Sequence, residues 1–281
     1  MRGKLKKLFA AVLAVLVALP FSGCSELTGL DAQALMSPPK TTADREAIYA
    51  LMGGGVGDVT LVYPKYGDYR SAIISRDLDG CGTSEVVSFC ANGDAGGTRL
   101  EFFKKNTDGV WNSMARFTSA ATQVDKVFFG DLTGDGMDEI IVGWGDPLTA
   151  TASVSVYYVD GDTIREFSMT TVSYSEMLLT DFDSDNIKEL FVLQAAQTSG
   201  EEIMALGGLY RFDGDQPYVS KTVPLDAAVT RYTSVSFSQV NSWRRAAVLD
   251  GVKADGRMLT QVIGYDEASD RLISPLSNEE N

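Results

Sequence analysis

The sequence predicts an all-β protein of about four four-stranded units, preceded by one short helix. Three observations predict this fold class. After Asp58 the chain consists of short runs rich in Val, Ile, Phe, Tyr and Thr, separated by Gly and Asp turns. An acidic segment recurs three times, and an Asp-containing turn after an aromatic strand recurs four times. Both recur at intervals of roughly 50 residues, which is typical of four-stranded units repeated along a chain.

The chain begins with a segment that is typical of an export signal. Four basic residues, Arg2, Lys4, Lys6 and Lys7, precede an apolar run of 14 residues at 8–21. That run is too short for a comfortable membrane span and has the length of the hydrophobic region of a signal peptide. We therefore expect the mature protein to lie outside the cytoplasm.

The residues that follow, Ser22, Gly23 and Cys24, resemble the lipobox of bacterial lipoprotein signals, with Phe21 where that family usually has Leu. The resemblance implies a signal peptide over residues 1–23 and lipidation of the Cys24 thiol. Several acyl chains on one residue would hold a protein to a membrane, where a single chain would be marginal. The expected location is the extracytoplasmic face of a bacterial membrane. An ordinary signal peptide with a chance cysteine is the alternative.

A tether and a helix are predicted between the signal and the repeats. Residues 24–40 are small, polar and Pro-bearing, which is typical of a spacer. Residues 41–57 are expected to form a short helix and a glycine linker. Thr41 and Asp44 resemble a capping box, and the glycine run from Gly53 would end the helix. Its apolar stripe would consist of Ile48, Leu51 and Met52.

The strand-rich part of the chain, residues 58–281, is divided by the acidic segments. Their sequences are "RDLDGCGTSEVVSF", "GDLTGDGMDEIIVGW" and "TDFDSDNIKELFVLQ", and each ends in Glu before an apolar run. The leading aspartates, Asp77, Asp131 and Asp181, are 54 and 50 residues apart. One such segment could be a plain turn, but three in register predict a repeated loop between two strands.

The Asp-containing turns give a second, independent register. Their spacings of 52, 53 and 53 residues predict a fourth unit, with its acidic loop near residue 239. That loop is expected to be degenerate, because Gln239, Asn241 and Trp243 stand where carboxylates would be. The turns lie at Asp108, Asp160, Asp213 and Asp266.

Each unit is expected to contain four strands. In the second unit these would span residues 124–130, 140–144, 152–159 and 163–171, and an extra strand is expected at 58–63. Four-stranded units repeated in this way are typical of β-propeller blades. The sequence therefore predicts a β-propeller, either a small one of about four blades or an incomplete part of a larger one.

The repeated acidic segment also resembles the FG-GAP or VCBS-type repeat family, whose blades carry a D-x-D-x-D-G-x-x-[DE] loop between their first two strands. The resemblance covers roughly Tyr69 to Leu276. It implies a propeller, often of about seven blades in the family, with calcium held by the loops at positions 1, 3, 5 and 9 and by the carbonyl of position 7.

Carried over residue by residue, the resemblance implies three sets of calcium ligands. The second loop offers Asp131, Thr133, Asp135, the Met137 carbonyl and Glu139. The third offers Asp181, Asp183, Asp185, the Ile187 carbonyl and Glu189. The first offers Asp77, Asp79 and Glu85, with Cys81 in place of a ligand. Because a thiol is a poor calcium ligand, the expected order of affinity is third, second, first.

Carboxylates crowded into one loop repel one another, by roughly 1 kcal/mol per pair at about 4 Å in water. Calcium relieves that repulsion, because it prefers carboxylate and carbonyl oxygens at alternating positions of a turning loop. Asn186 stands where the pattern has Gly, and Asn tolerates the left-handed backbone conformation. The ion is expected to be structural. The alternative is that Asp and Gly simply make good turns.

Composition excludes several classes of function. The chain has no histidine, which excludes Ser-His-Asp and Cys-His catalysis and any zinc site with a His ligand. Its formal charge of −14 argues against binding to nucleic acid, which needs a basic surface. Cys81 and Cys90 are separated by an expected loop and strand, so we expect two free, mostly buried thiols rather than a disulfide.

These features favour a non-enzymatic binding scaffold that is anchored to a membrane and recognises a protein or a glycan. The alternative is a carbohydrate-active enzyme, which needs two carboxylates about 5 to 10 Å apart. The acids outside the repeated loops, such as Glu166, Glu176 and Glu201, show no pattern in the sequence. An acidic pair facing one pocket away from the loops would favour the enzyme.

Overall fold

The computed structural model describes residues 42–146, 151–168, 172–199, 202–213, 216–240 and 243–274. Within these ranges the protein is all-β except for one α-helix and one turn of 3-10 helix, Gly93–Ala95. All four of its sheets belong to one compact unit, Glu46–Asn281. The predicted signal peptide, Cys24, the tether and Thr41 lie outside the described residues.

Helix α1 spans Ala43–Leu51. Thr42 caps its first turn, because the Thr42 Oγ1 accepts a hydrogen bond from the Arg45 N–H at 3.3 Å. Gly53, which has a φ of 98°, follows the end of the helix. The described cap is therefore made by Thr42. The helix contributes Ile48, Tyr49 and Met52 to a core cluster, and Leu51 packs against that cluster while partly buried. The predicted apolar stripe of Ile48, Leu51 and Met52 is therefore confirmed, and Tyr49 adds to it.

The strands form four antiparallel sheets, each built around four strands in chain order. The first sheet consists of β1 Ile73–Arg76, β2 Glu85–Ala91, β3 Thr98–Lys105 and β4 Trp111–Ser119. The second consists of β5 Gln123–Gly130, β6 Glu139–Asp146, β7 Thr151–Asp160, β8 Thr163–Glu166 and β9 Val172–Tyr174. Each acidic loop joins the first two strands of its sheet, as the sequence predicted.

The third and fourth sheets follow the same order along the chain. The third consists of β10 Glu176–Thr180, β11 Glu189–Ser199, β12 Glu202–Asp213 and β13 Gln216–Pro224. The fourth consists of β14 Val229–Val240, β15 Trp243–Lys253, β16 Met258–Asp266 and β17 Arg271–Ile273. Strands β14 and β15 pair up to Val240 and Trp243, so no nine-residue loop separates them. The four predicted four-stranded units are confirmed, and their closure into a propeller stays a prediction.

The predicted strand at residues 58–63 is wrong. Only an isolated bridge joins Leu61 to Cys90 there. Strand β1 already pairs with residues 85–88 of β2, so this segment can reach only the far end of β2. The Val62 N–H donates to the Phe89 carbonyl at 3.0 Å, but the segment does not form a ladder.

The fourth strand of the second sheet is shorter than predicted. Strand β8 ends at Glu166, although the N–H of the buried Phe167 still donates to the Val156 carbonyl of β7 at 2.9 Å. The later strand β9 pairs with β7 near its start, whereas β8 pairs with β7 near its end. The predicted strand at 163–171 is therefore interrupted.

The apolar core lies between consecutive sheets. One cluster joins the first and second sheets through residues such as Phe102 and Tyr157. The next joins the second and third through residues such as Ile141 and Leu190, and the last joins the third and fourth. Alternating side chains of each strand thus pack on both neighbours, which explains why strands such as "EIIVGW" are apolar on both faces.

Cys81 and Cys90 are both free thiols, as the sequence predicted. Cys90 is fully buried on β2. Cys81 is exposed, so the prediction of a mostly buried thiol is wrong for it. It lies between Gly80 and Gly82, both in the left-handed region, at the outermost part of the first acidic loop.

Candidate functional site

The three acidic loops, residues 77–85, 131–139 and 181–189, share one backbone design. In each, the final Glu is almost fully buried at the start of a strand and accepts a hydrogen bond from the N–H of the second loop residue. The bonds are Leu78 N–H to Glu85 (2.9 Å), Leu132 N–H to Glu139 (2.7 Å) and Phe182 N–H to Glu189 (2.7 Å). This Glu closes the loop whether or not an ion is present.

The leading Asp of each loop accepts a hydrogen bond from the N–H of the sixth residue. The bonds are Gly82 N–H to Asp77 (2.9 Å), Gly136 N–H to Asp131 (2.9 Å) and Asn186 N–H to Asp181 (3.3 Å). The sixth residue has a positive φ in every loop, which suits Gly. Asn186 has a φ of 73°, which confirms that it replaces Gly in the left-handed conformation.

The third loop contains a basic side chain from a neighbouring strand. The Arg211 guanidinium, on β12, contacts Asp183, reaches Asp185 Oδ2 at 3.2 Å and reaches Glu189 Oε1 at 2.6 Å. Oxygens of Asp181, Asp183 and Glu189 all lie within 4.8 Å of one another. The oxygens are close enough to hold an ion, but Arg211 already contacts two of these three side chains.

The first loop contains a lysine in a similar place. The Lys104 ammonium, on β3, lies 2.5 Å from Asp79 Oδ2 and 3.8 Å from Glu85 Oε1. Ligand atoms of Asp77, Asp79 and Cys81 lie within 4.8 Å of one another. Hydrogen bonding to Asp79 raises the pKa of Lys104, so this lysine stays charged. The loop is therefore partly neutralised by the protein itself.

The second loop has no such cation. None of the ion pairs among the described residues involves Asp131, Asp135 or Glu139. Burial raises the pKa of Glu139 to about 7, and the charges of Asp135 and Asp131 add to this effect. The Oγ1 atom of Thr133, a predicted ligand, is buried without a hydrogen-bond partner. The carboxylates at its ligand positions are hard oxygen donors that suit calcium. The first and third loops bring their ligand atoms within 4.8 Å of one another, but a basic side chain already lies at each.

Neighbouring acidic loops are connected to one another. Arg76, just before the first loop, donates to Asp138 of the second loop at 2.6 Å. The Lys188 N–H of the third loop donates to the Asp131 carbonyl at 2.8 Å. Asp138 and Lys188 occupy the same position of their loops, so this connection is part of the repeat. The proposed ligand roles of the Met137 and Ile187 carbonyls stay predictions.

A second candidate site is a cavity of about 810 Å³ between the sheets. We call it the inter-sheet cavity. It is lined by the first strands of the second, third and fourth sheets and by the segment at 65–68. Its polar side chains include Lys65, Asp68, Asp125, Lys126, Glu176 and Arg231. These are three basic and three acidic groups, so the lining has no net charge.

The centre of the cavity is a pair of adjacent polar contacts. The ladder between β5 and β6 is irregular between Val124 and Val127, at Asp125 and Lys126. The Lys126 ammonium forms an ion pair with Glu176 of β10, and the Tyr174 hydroxyl donates to Asp125 at 2.6 Å. Irregularities of this kind are common next to functional sites, where they redirect side chains.

A glycine makes room for this arrangement. A Cβ added at Gly143 would lie 2.1 Å from the Tyr174 hydroxyl and 2.8 Å from Met177 Cε. Any larger residue at position 143 would displace Tyr174 or Met177. Burial and the nearby Asp125 carboxylate raise the pKa of Tyr174, so the phenol stays protonated and remains a donor. Burial likewise raises the pKa of Glu176, against the opposing effect of Lys126.

The segment at 65–68 is held against the irregular part of β5. The N–H groups of Lys65 and Tyr66 donate to the Asp125 carbonyl at 3.0 and 2.8 Å. The Tyr66 side chain lines the cavity and is 58% exposed. An aromatic ring at the rim and charged groups within are the usual parts of a site for a polar ligand.

Sequence reasoning missed this cavity. Lys126 and Glu176 each stand five residues before the leading Asp of an acidic loop, but they differ in charge, so the repeat does not mark them as partners. The signal that was present is a charged pair, "DK", inside the apolar run "QVDKVFFG", where strict alternation fails. The structure does not describe Asn241, Glu201 or the side chains of Gln239 and Trp243.

The described residues include no helix that is long and apolar enough to cross a membrane. No family model matches the chain, and no curated protein has a sequence similar to it. A function for this protein is therefore inferred from the acidic loops and the inter-sheet cavity.

Proposed function

We propose that this protein is a lipid-anchored extracytoplasmic scaffold, in which a β-propeller of FG-GAP or VCBS type binds its ligand in the inter-sheet cavity. The observation that carries the proposal is the polar centre of that cavity, where Gly143 gives room for Tyr174 to hold Asp125 beside the Lys126–Glu176 pair. Burying an ion pair costs free energy of desolvation, so its presence in a cavity wall favours a functional role. The first strands of three sheets border the cavity, as expected around a propeller axis.

The ligand that suits this lining is a neutral glycan. Charged side chains of both signs offer donors and acceptors together, and these match neighbouring hydroxyl groups of a sugar. The lining has no net charge, which disfavours a strongly ionic ligand. The exposed ring of Tyr66 offers an apolar face at the rim, on which a sugar ring can stack.

Calorimetric titration of the full chain with soluble neutral oligosaccharides from cell envelopes tests this proposal. We expect saturable binding that Tyr66→Ala weakens about fivefold or more. Tyr63→Ala is the matched control, because Tyr63 is also 58% exposed but does not line the cavity. Equal weakening by both substitutions, or no binding of any oligosaccharide, would contradict glycan binding in the cavity.

The proposed anchor is the lipid on Cys24. Metabolic labelling with a fatty acid should mark the wild-type chain in a bacterial host, and the chain should sediment with membranes. Cys24→Ser should abolish both results. Export of an unlabelled, freely soluble wild-type chain would instead indicate an ordinary signal peptide.

The proposed cofactor is a structural calcium ion, and the second acidic loop fits it best. Asp131, Asp135 and Glu139 offer three carboxylates that have no basic ion-pair partner among the described residues, and Thr133 adds a hydroxyl oxygen. A thermal melt of the full chain with calcium and with a chelator tests this. A calcium-dependent rise in Tm is expected, and an unchanged Tm would leave the loops as turns only.

A second candidate function is glycoside hydrolysis. It is favoured by Asp125 and Glu176, two carboxylates that line one cavity away from the acidic loops. The raised pKa of Glu176 suits a general acid. Release of reducing sugar by the full chain, and its loss in Glu176→Gln, would support an enzyme. Binding without any hydrolysis would favour the scaffold.

A further inference from the structure

The strand registers place one residue opposite the final Glu of each acidic loop. In the three sheets, Val86 pairs with Phe103, Ile140 with Tyr157 and Leu190 with Tyr210. One residue closer to the loop, Lys104 therefore lies opposite Glu85, Tyr158 opposite Glu139 and Arg211 opposite Glu189. This position on the third strand of each sheet decides what faces the carboxylates.

In two of the three loops that residue is a cation. Arg211 bonds to Asp183, Asp185 and Glu189, which are positions 3, 5 and 9 of the third loop. Lys104 bonds to Asp79 at 2.5 Å and lies 3.8 Å from Glu85 Oε1, at positions 3 and 9 of the first loop. Positions 3, 5 and 9 are among those that would coordinate calcium. The basic groups thus contact the side chains that an ion would need.

In the second loop the same position is Tyr158, whose neutral ring packs on Phe167 with a centroid distance of 4.4 Å. The carboxylates of this loop have no ion-pair partner among the described residues, except for Asp138, which Arg76 contacts from outside the ligand positions. The second loop therefore differs from the other two in electrostatics and not in backbone. The carboxylate oxygens of Asp181, Asp183 and Glu189 in the third loop lie within 4.8 Å of one another, and no such group is found among the described residues of the second loop.

We propose that Lys104 and Arg211 are internal cations that take the place of a divalent ion in the first and third acidic loops, so that the chain binds a single calcium ion, at the second loop. This inference rests on the proposed calcium binding. A guanidinium and a calcium ion cannot both contact Asp183, Asp185 and Glu189 at bonding distance, so the third loop binds calcium only if Arg211 moves away. The sequence predicted that the third loop binds calcium most tightly, then the second and then the first. With the internal cations in place, only the second loop is expected to bind calcium.

The test counts calcium ions bound by the full chain with isothermal titration calorimetry in chelator-treated buffer. The wild type should bind one ion, and Tyr158→Arg should bind none. Arg211→Tyr, which gives the third loop the residue of the second, should bind two. Arg211→Lys keeps a cation and should bind one. Arg257→Tyr is the matched control, because it removes an exposed arginine that pairs only with Asp255, and it should also bind one.

The outcomes separate this inference from the proposed calcium binding. Two or three ions on the wild type would uphold calcium binding and overturn the internal cations. No ion on the wild type together with one on Arg211→Tyr would uphold the internal cations and overturn the site at the second loop. No ion on either chain would overturn both. Circular dichroism in calcium shows whether Arg211→Tyr is folded, and, if it is not, Arg211→Met replaces it in the same count.

Discussion

The second and third acidic loops have the same backbone and neutralise their charge differently. Both close on a buried Glu, and both turn through a left-handed sixth residue, Gly136 or Asn186. In the third loop the charge is met by Arg211 from the adjacent strand. In the second loop Tyr158 stands at that position, and Asp131, Asp135 and Glu139 have no ion-pair partner among the described residues. A repeat can therefore keep its backbone shape while one residue outside the repeated motif changes the charge that faces its carboxylates.

The largest expected effect comes from removing the internal cation of the third loop. Arg211→Met in calcium-free buffer leaves Glu189 buried and Asp183 unpaired, and should lower the free energy of unfolding by about 3 kcal/mol. Urea denaturation measures it. Tyr158→Phe, at the same position of the second sheet, should cost about 1 kcal/mol or less. Similar losses for both variants would contradict the difference between the loops.

The next effect tests what the two loops share. Gly136→Ala introduces a Cβ at a left-handed sixth position and should cost about 1–2 kcal/mol. Asn186→Ala removes the short polar side chain that tolerates this conformation and should cost about 1 kcal/mol. An added Cβ at Gly136 meets no atom within 4 Å, so its cost is backbone strain alone. Thermal unfolding with and without calcium compares the two. A cost in only one loop would show that the backbones are not equivalent.

A smaller effect is expected from calcium on the wild type. With a Kd of about 10⁻⁴–10⁻³ M and calcium near 1 mM, one site adds about 0.4–1.4 kcal/mol to the free energy of unfolding. Asp135→Asn should remove that increment, whereas Asp185→Asn, in the third loop, should leave it in place. Differential scanning calorimetry with calcium and with chelator measures the change. Loss of the increment in Asp185→Asn would indicate that the third loop binds the ion.

The smallest effect concerns the connection between loops. Arg76→Met removes a half-buried ion pair with Asp138 and should cost about 0.5–1 kcal/mol, less at high salt. Lys188→Met is the control, because Lys188 contacts the second loop through its backbone N–H and not through its charge. Chemical denaturation at low and high salt distinguishes the two. A salt-dependent loss in Lys188→Met would place its side chain in the connection as well.

The repeated features of the fold could be predicted from the sequence because each copy supports the others. The positions of Asp77, Asp131 and Asp181 fixed the loops, and the Asp-containing turns predicted four sheets. The interruption after Glu166 could not be predicted, since the pairing of β8 and β9 depends on both ends of β7. The exposure of Cys81 was missed because a residue in a tight loop has no periodic pattern of burial.

The candidate site was predicted only in part for a similar reason. The acidic residues are local in sequence, but Lys104 and Arg211 come from strands some 20 residues later and act through register. Register could have been estimated by counting back from the turns, since Tyr158 and Arg211 both lie two residues before an Asp-containing turn. The inter-sheet cavity is lined by residues from three sheets. The repeat places Lys126 and Glu176 at equivalent positions of two units, but it does not show that their side chains meet across two sheets.

Because Gly143 has no side chain, its position restricts which sequence changes the inter-sheet cavity can accept during evolution. Because a Cβ there would overlap the Tyr174 hydroxyl, neither position can change freely while the other is kept. In related proteins the residues at positions 143 and 174 should therefore change together. Where Gly143 is replaced by Ala or Ser, Tyr174 should be replaced by a smaller residue. An alignment of related sequences would show this paired change. Sequences that keep both Gly143 and Tyr174 would be those that keep the cavity.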